Sequence, residues 1–216
     1  HLIEDMTDNN LQVAAKNPQF ETSNELEVKQ RFRSFLKFGQ QYDLYLPGME
    51  APAGFCHRGL NWPWSSCDLK FYSDETKTTE LLHIKQRNWV DAWGTFDLFD
   101  SSNGEHICTF KRKYWAGILQ RTWMVTDPAG QELFQIQEDN IMKSIIRRVG
   151  GAYIPFMDVI LRTNLNFRTL DGKTDFGAFN RKFSLRDRYT VIRTSQELDG
   201  RILWAAGPLL DNAGGR

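Results

Sequence analysis

The chain has 216 residues, of which 41% are hydrophobic and 25% charged, and its formal net charge is zero. This length can bury a sizeable core and fits one all-β domain, which commonly reaches roughly 200–250 residues. No apolar run approaches the roughly 20 residues that a membrane-spanning helix needs, and the neutral net charge disfavours nucleic acid as a partner.

Charge is uneven along the sequence. Residues 1–140 contain 14 Lys/Arg and 20 Asp/Glu, whereas residues 141–216 contain 13 and 7. A basic C-terminal third can attract phosphate groups, although cations that are spread rather than clustered are also typical of an ordinary solvated surface. The three cysteines form no Cys-x-x-Cys motif, and the first ten residues do not resemble a signal peptide. We therefore expect reduced thiols and a cytoplasmic protein.

A strand–turn–strand unit recurs from about residue 27 onward. Each copy alternates apolar and polar residues, passes through a turn containing Asp, Gly or Pro, and then alternates again. A period of two places apolar side chains on one face of a strand, and such turns join antiparallel neighbours. The five predicted hairpins pair residues 42–46 with 55–58, 69–72 with 81–85, 96–99 with 107–111, 123–125 with 133–136, and 165–167 with 176–182.

Two further candidate strands, at residues 27–32 and 189–193, raise the total to twelve. So many strands need closure or a second layer to hide their edges. Residues 1–24 are polar and rich in turn formers, so we predict a flexible extension before a single domain at 25–216. Residues 141–163 break the pattern between two hairpins and are predicted to form a connector with one short helix near 142–148.

The last segment is almost uniformly apolar. Thr194 and Glu197 have the spacing of a capping box, which predicts a helix start there. A helix that is apolar all round is enclosed by protein or lipid, and at about 14 residues this one is too short to span a bilayer. Gly207-Pro208 is expected to kink or end it early. The residues predicted to be buried are Leu198, Ile202, Leu203, Trp204, Leu209 and Leu210.

The order of these features resembles the Tubby C-terminal-like superfamily, specifically its LURP-one-related and phospholipid-scramblase-like branch. The resemblance covers roughly residues 27–213, and its matching pieces are 67–87, 95–113, 122–137 and 165–193. Residues 96–100 with Gly104, and 123–127 with Gly130, are similar to the family's Phe-x-Val/Leu-x-Asp-x-x-Gly turn.

The end of the chain also resembles this family. Residues 176–182 are similar to its Gly-x-Ile-x-Arg-Lys strand, and residues 198–211 to its closing helix. The resemblance implies a twelve-stranded antiparallel β-barrel wrapped around a C-terminal hydrophobic helix. It also implies binding of phosphoinositides through basic residues of the barrel.

The sequence shows no recognisable catalytic or metal-binding constellation, so we expect no enzyme, no cofactor and no metal. Cys56 and His57 are neighbours on one strand and are predicted to point to opposite faces, which disfavours a nucleophile–base pair. His106 and Cys108 are predicted to share a face, but two ligands do not make a zinc site.

Basic residues near the C-terminus are the best candidates for a phosphate site, because Arg and Lys bind phosphate through charge-assisted hydrogen bonds. These candidates are Arg147, Arg148, Arg181, Lys182, Arg186 and Arg188. Trp62 and Trp64 flank Pro63 and are candidates for insertion at a lipid interface, or alternatively for capping one end of the barrel.

The sequence leaves three functions open. The first is a non-enzymatic module that binds acidic phospholipid or phosphoinositide headgroups and lies peripherally at a membrane. The second is a regulatory module that binds a protein partner and no lipid. The third, a phospholipid scramblase, is least favoured because the chain lacks a spanning segment.

Overall fold

The computed structural model describes residues 20, 22–31, 39–59, 68–87, 94–113, 122–138, 164–182 and 188–214. Twelve β-strands form a closed barrel in chain order, and β12 pairs with β1 to complete the ring. All neighbouring strands are antiparallel. The predicted fold is therefore confirmed, and closure rather than a second layer hides the strand edges.

The strands match the predicted hairpins closely. They are β1 (Glu25–Gln30), β2 (Gln41–Tyr45), β3 (Gly54–Arg58), β4 (Asp68–Tyr72), β5 (Glu80–Gln86), β6 (Thr95–Asp100), β7 (His106–Lys113), β8 (Thr122–Thr126), β9 (Glu132–Glu138), β10 (Leu165–Arg168), β11 (Asp175–Lys182) and β12 (Arg188–Arg193). Strand β1 illustrates the pattern: Leu26 and Val28 are fully buried, whereas Glu25 and Glu27 are partly exposed. Period-two alternation thus lines the interior with apolar side chains.

The two ends of the barrel differ in how they connect the strands. At one end, called here the turn end, six connections join β2 to β3, β4 to β5, β6 to β7, β8 to β9, β10 to β11, and β12 to the C-terminal helix. At the opposite end, the loop end, the remaining connections include the longest one, residues 139–164. The segments 141–163 and 142–148, predicted as a connector with a short helix, lie outside the described residues.

Helix α1 (Gly200–Gly214) runs inside the barrel from the turn end to the loop end. It lies in one buried cluster with the inward-facing residues of the strands. The structure places all six predicted residues of this segment in the core: Leu198, Ile202, Leu203, Trp204, Leu209 and Leu210. Among the described residues, no helix has the length and apolar character needed to cross a membrane.

Trp204 is the largest fully buried side chain of the helix. Its ring packs edge-to-face against Phe20, with ring centroids 5.2 Å apart, and its indole N–H donates to the Ser23 hydroxyl at 3.2 Å. Phe20 and Ser23 belong to the predicted N-terminal extension, residues 1–24, most of which lies outside the described residues. The part that is described therefore contributes to the core around the helix.

The start of the helix differs from the prediction. The predicted capping box at Thr194–Glu197 is wrong, because α1 begins at Gly200. The Asp199 carboxylate accepts a hydrogen bond from the Arg201 backbone N–H at 2.8 Å and so acts as the N-terminal cap. An Asp in that position satisfies a free N–H of the first turn as well as Thr does.

The helix also continues past Gly207-Pro208 to Gly214, so the expected early end is wrong. Proline removes one backbone hydrogen bond from a helix interior, but this helix is enclosed along its length and its packing offsets that loss. The strands around the helix leave no room for a side chain at Gly207. A Cβ atom there would lie 2.8 Å from Val28 Cγ2 and 3.2 Å from Val191 Cγ2.

Replacing Gly207 with Ala should therefore destabilise the protein. On an isolated helix the same change would stabilise by about 1 kcal/mol, but here we expect a net loss of about 1–3 kcal/mol from overpacking against Val28. Urea unfolding of the two proteins measures the difference. In a Val28→Ala background the loss should shrink, and an unchanged loss would contradict the steric explanation.

Candidate functional site

The turn end of the barrel is acidic. Its six connections contain eight Asp/Glu and two Lys/Arg, and every connection carries at least one carboxylate. The carboxylates are Glu50, Asp74, Glu75, Glu105, Asp127, Asp171, Glu197 and Asp199. The loop end has the opposite charge. Among the last two described residues before each of its six connections and the first two after it, eight are Lys/Arg and two are Asp/Glu. The residues at the two ends of the barrel therefore differ in net charge, which the linear division at residue 140 does not reveal, although some loop-end side chains reach turn-end carboxylates.

Half of the turn-end carboxylates have a local structural role. Asp74, Asp127 and Asp171 accept backbone hydrogen bonds from Thr76, Gln131 and Lys173 at 2.8, 2.8 and 3.1 Å, and Asp199 caps the helix. Side-chain hydrogen bonds from Thr76 and Thr169 lower the pKa values of Asp74 and Asp171. Turn formation explains these acidic residues. It does not explain the basic residues at the other end.

Three of the loop-end cations are paired with carboxylates, and Lys113 has the most exposed of these pairs, with its ammonium 3.6 Å from Glu132. The Arg31 guanidinium binds Asp43 at 2.7 Å and, across the tilted strands, Glu75 at 2.8 Å. Arg87 binds Asp97 at 2.7 Å. These hydrogen bonds raise the pKa values of both arginines. Such pairs hold neighbouring strands together and leave little net charge for a ligand.

The predicted phosphate residues on β11 and β12 do not share one face. Arg181 is paired with the buried Tyr189 and faces the barrel interior, with its guanidinium carbon 5.6 Å from the centroid of the Tyr189 ring. Lys182 and Arg188 lie directly opposite each other in the β11–β12 register, and Arg188 is at an outward-facing position next to the buried Tyr189. The other predicted residues, Arg147, Arg148, Arg186, Trp62 and Trp64, lie outside the described residues.

Closure of the barrel adds a residue that the sequence does not indicate. Lys29 on β1 lies directly opposite Arg188, so Lys182, Arg188 and Lys29 are aligned in register on three adjacent strands. Like charges directly opposite each other are unfavourable unless an anion compensates them. Nothing local in the sequence links Lys29 to Arg188, because only the pairing of the first strand with the last brings them together.

The helix ends at the loop end in a polar network. The Asp211 carboxylate accepts hydrogen bonds from the hydroxyls of Tyr42, at 2.8 Å, and Tyr189. Asn212 accepts from Arg58 at 2.8 Å. Burial, together with the Asp211 carboxylate, raises the pKa of Tyr42. This network fixes the helix terminus to β2, β3 and β12 and so holds the loop end in shape.

The structure offers no catalytic group at the positions considered from the sequence. Cys56 is fully buried while His57 is partly exposed and stacks on Phe55, so the two point to opposite faces as predicted. The expectation that His106 and Cys108 share a face is wrong. A register shift in the β6–β7 pair places Cys108 inside and His106 outside. Within the described ranges no group of three or more His, Cys, Asp or Glu side chains could hold a metal ion.

His106 instead joins an outer cluster with Asp97 and Thr109. Its Nε2 lies 3.3 Å from Asp97 Oδ1 and 3.1 Å from Thr109 Oγ1. The hydroxyl donates to Asp97 at 2.6 Å, and Thr109 is only 1% exposed. A hydroxyl that is buried and already bonded to a carboxylate cannot reach a substrate, so this cluster is structural.

Comparison with known proteins adds no family to this description. No protein-family model matches the chain, and no curated protein is significantly similar to it.

His83 should make stability depend on pH. Its ring nitrogens lie 3.9 Å from Asp68 Oδ1 and 4.0 Å from Glu80 Oε1, and burial lowers its pKa from 6.5 despite these carboxylates. The unfolded chain therefore binds more protons below pH 6.5, so the free energy of unfolding falls as the pH drops through that range. Urea unfolding between neutral and mildly acidic pH should show this slope. His83→Asn should reduce this pH dependence of the free energy of unfolding. An unchanged dependence would show that other titratable groups cause it.

Proposed function

We propose that this protein is a non-enzymatic module that binds acidic phospholipids at a membrane surface with its loop end facing the lipid. The separation of charge between the two ends carries the proposal. An anionic surface attracts a basic end and repels an acidic one, so the barrel would bind in one orientation. The cytoplasmic leaflet has the required negative surface potential.

The strength of such binding follows from the number of cations near the surface. Each Lys or Arg close to an anionic leaflet contributes about 1 kcal/mol, and the attraction decays over the Debye length of about 8 Å at physiological salt. Several loop-end cations together therefore give useful, reversible and salt-sensitive binding. No spanning helix is needed for this mode of attachment.

The resemblance to Tubby-like, LURP-one-related and scramblase-like proteins supports the same proposal. A closed barrel of twelve strands around a C-terminal helix agrees with the architecture that the resemblance implies. The resemblance also suggests Trp62 and Trp64 as interfacial residues. In the sequence they fall between β3 and β4, whose connection belongs to the loop end.

Vesicle flotation tests the proposal with two matched double variants. Lys85→Gln with Lys113→Gln removes two exposed charges near the loop end, and Lys77→Gln with Lys173→Gln removes two exposed charges from the turn end. The pairs are matched, because each contains one lysine in a long, exposed ion pair, Lys113 with Glu132 at 3.6 Å and Lys173 with Asp171 at 3.9 Å, and such pairs are weak. The wild type should bind phosphatidylcholine vesicles that contain phosphatidylserine, and should release them at high salt. The loop-end variant should bind roughly thirtyfold more weakly, and the turn-end variant as the wild type does.

Two outcomes would contradict the proposal. Absence of salt-sensitive binding by the wild type would exclude an electrostatic lipid module. Equal weakening in both double variants would exclude the proposed orientation, because it would show that net charge alone controls binding.

A further inference from the structure

Two hydrogen-bonding groups without partners lie close together on the outer wall of β12. Arg188 and Thr190 both occupy outward-facing positions, because Tyr189 between them is 1% exposed and belongs to the core. Within the described part of the chain, neither the Arg188 Nε–H nor the Thr190 hydroxyl has a hydrogen-bond partner, and both atoms are buried. Buried polar groups are nearly always paired, so two neighbouring exceptions suggest a partner that binds from outside.

The charge around these groups favours an anion. Arg188 lies between Lys29 on β1 and Lys182 on β11 in the strand register. Two carboxylates are also near. Asp43, opposite Lys29, is bound by Arg31 at 2.7 Å, so its charge is already matched.

The second carboxylate is Glu27, which lies opposite Thr190 and is 3.4 Å from the Lys29 ammonium. Both side chains of this pair are about one-third exposed, at 31% for Lys29 and 29% for Glu27. Such exposed pairs are weak. A doubly charged ligand would displace Glu27 from Lys29.

We infer that the outer wall defined by Lys29, Arg188 and Thr190 is a phosphate-binding subsite. An oxygen of a phosphate monoester or diester accepts hydrogen bonds from a guanidinium and a hydroxyl together, and its charge compensates the cations in register. Entry requires the cross-strand neighbours of Thr190, which are Glu27 and Asn180, to turn aside. Both are partly exposed. The lipid form of this ligand rests on the proposed function, whereas a soluble phosphate does not.

Thr190→Val tests the subsite because valine keeps the shape of threonine and removes only the hydroxyl. Thr122→Val is the matched control: Thr122 is also 4% exposed, its hydroxyl also lacks a partner among the described residues, and β8 lies four strands away. Replacing an unpaired buried hydroxyl with a methyl group leaves stability unchanged or raises it. We therefore expect both variants to fold and to match or exceed the wild type in urea.

Binding separates the two variants. Titration with inorganic phosphate, followed by amide NMR signals, should shift residues of β12 and β1 in the wild type and in Thr122→Val. Thr190→Val should bind phosphate about tenfold more weakly, and Arg188→Gln should weaken it as well. If the wild type, Thr190→Val and Thr122→Val bind phosphate equally, or if phosphate leaves β12 unperturbed, the subsite is disproved.

Flotation with and without phosphatidic acid in phosphatidylcholine vesicles distinguishes the source of the phosphate. Weaker flotation of Thr190→Val than of Thr122→Val supports a lipid headgroup in the subsite. Phosphate binding by a wild type that does not float supports the subsite with a soluble ligand and excludes the proposed membrane function. Flotation that depends on Lys85 and Lys113 but not on Thr190, with no phosphate binding, leaves the membrane function standing and excludes the subsite.

Discussion

The enclosure of an apolar helix is the constraint on which the rest of this structure depends. Helix α1 is buried on all sides from Ile202 to Leu210, and an element of this kind is stable only if it is surrounded. A barrel of twelve strands provides that surround, but only when β1 pairs with β12 and leaves no open edge. The helix therefore favours closure, and closure in turn makes it possible for the helix to be so apolar.

The fit between helix and wall is close at a few small residues. A Cβ atom on Gly54 would lie 2.7 Å from the Trp204 ring, and one on Gly200 would lie 1.6 Å from the Phe20 carbonyl oxygen. These glycines are needed for space and not for unusual backbone angles, since neither has a positive φ. Polar contacts then fix both ends of the helix: Arg201 binds Asp100 and Glu105 at the turn end, and Asp211 binds two tyrosines at the loop end.

Local patterns explain why most of the fold could be predicted from the sequence. Alternation and turn chemistry act over five to ten residues, so they predict all twelve strands from the sequence alone. Features that depend on distant residues could not be placed in this way. The register shift that separates His106 from Cys108 depends on pairing with Phe99, and tolerance of Pro208 depends on the surrounding wall. The candidate site was only partly predicted, because Lys29 lies beside Arg188 through closure alone.

The most informative residues are those that folding does not require. Asp74, Asp127 and Asp171 are acidic at the turn end because their carboxylates bond to the backbone of tight turns, so their charge is a consequence of turn formation. Lys182, Arg188 and Lys29 form no turn, and their alignment opposes the stability of the sheet. The buried Thr190 hydroxyl, which has no partner in the part of the chain that the structure describes, adds a second cost on the same wall. Other buried polar atoms also lack a partner among the described residues, Thr122 Oγ1 among them, but only on β12 does such an atom lie beside a cross-strand row of cations, and this coincidence is the reason to propose a ligand there.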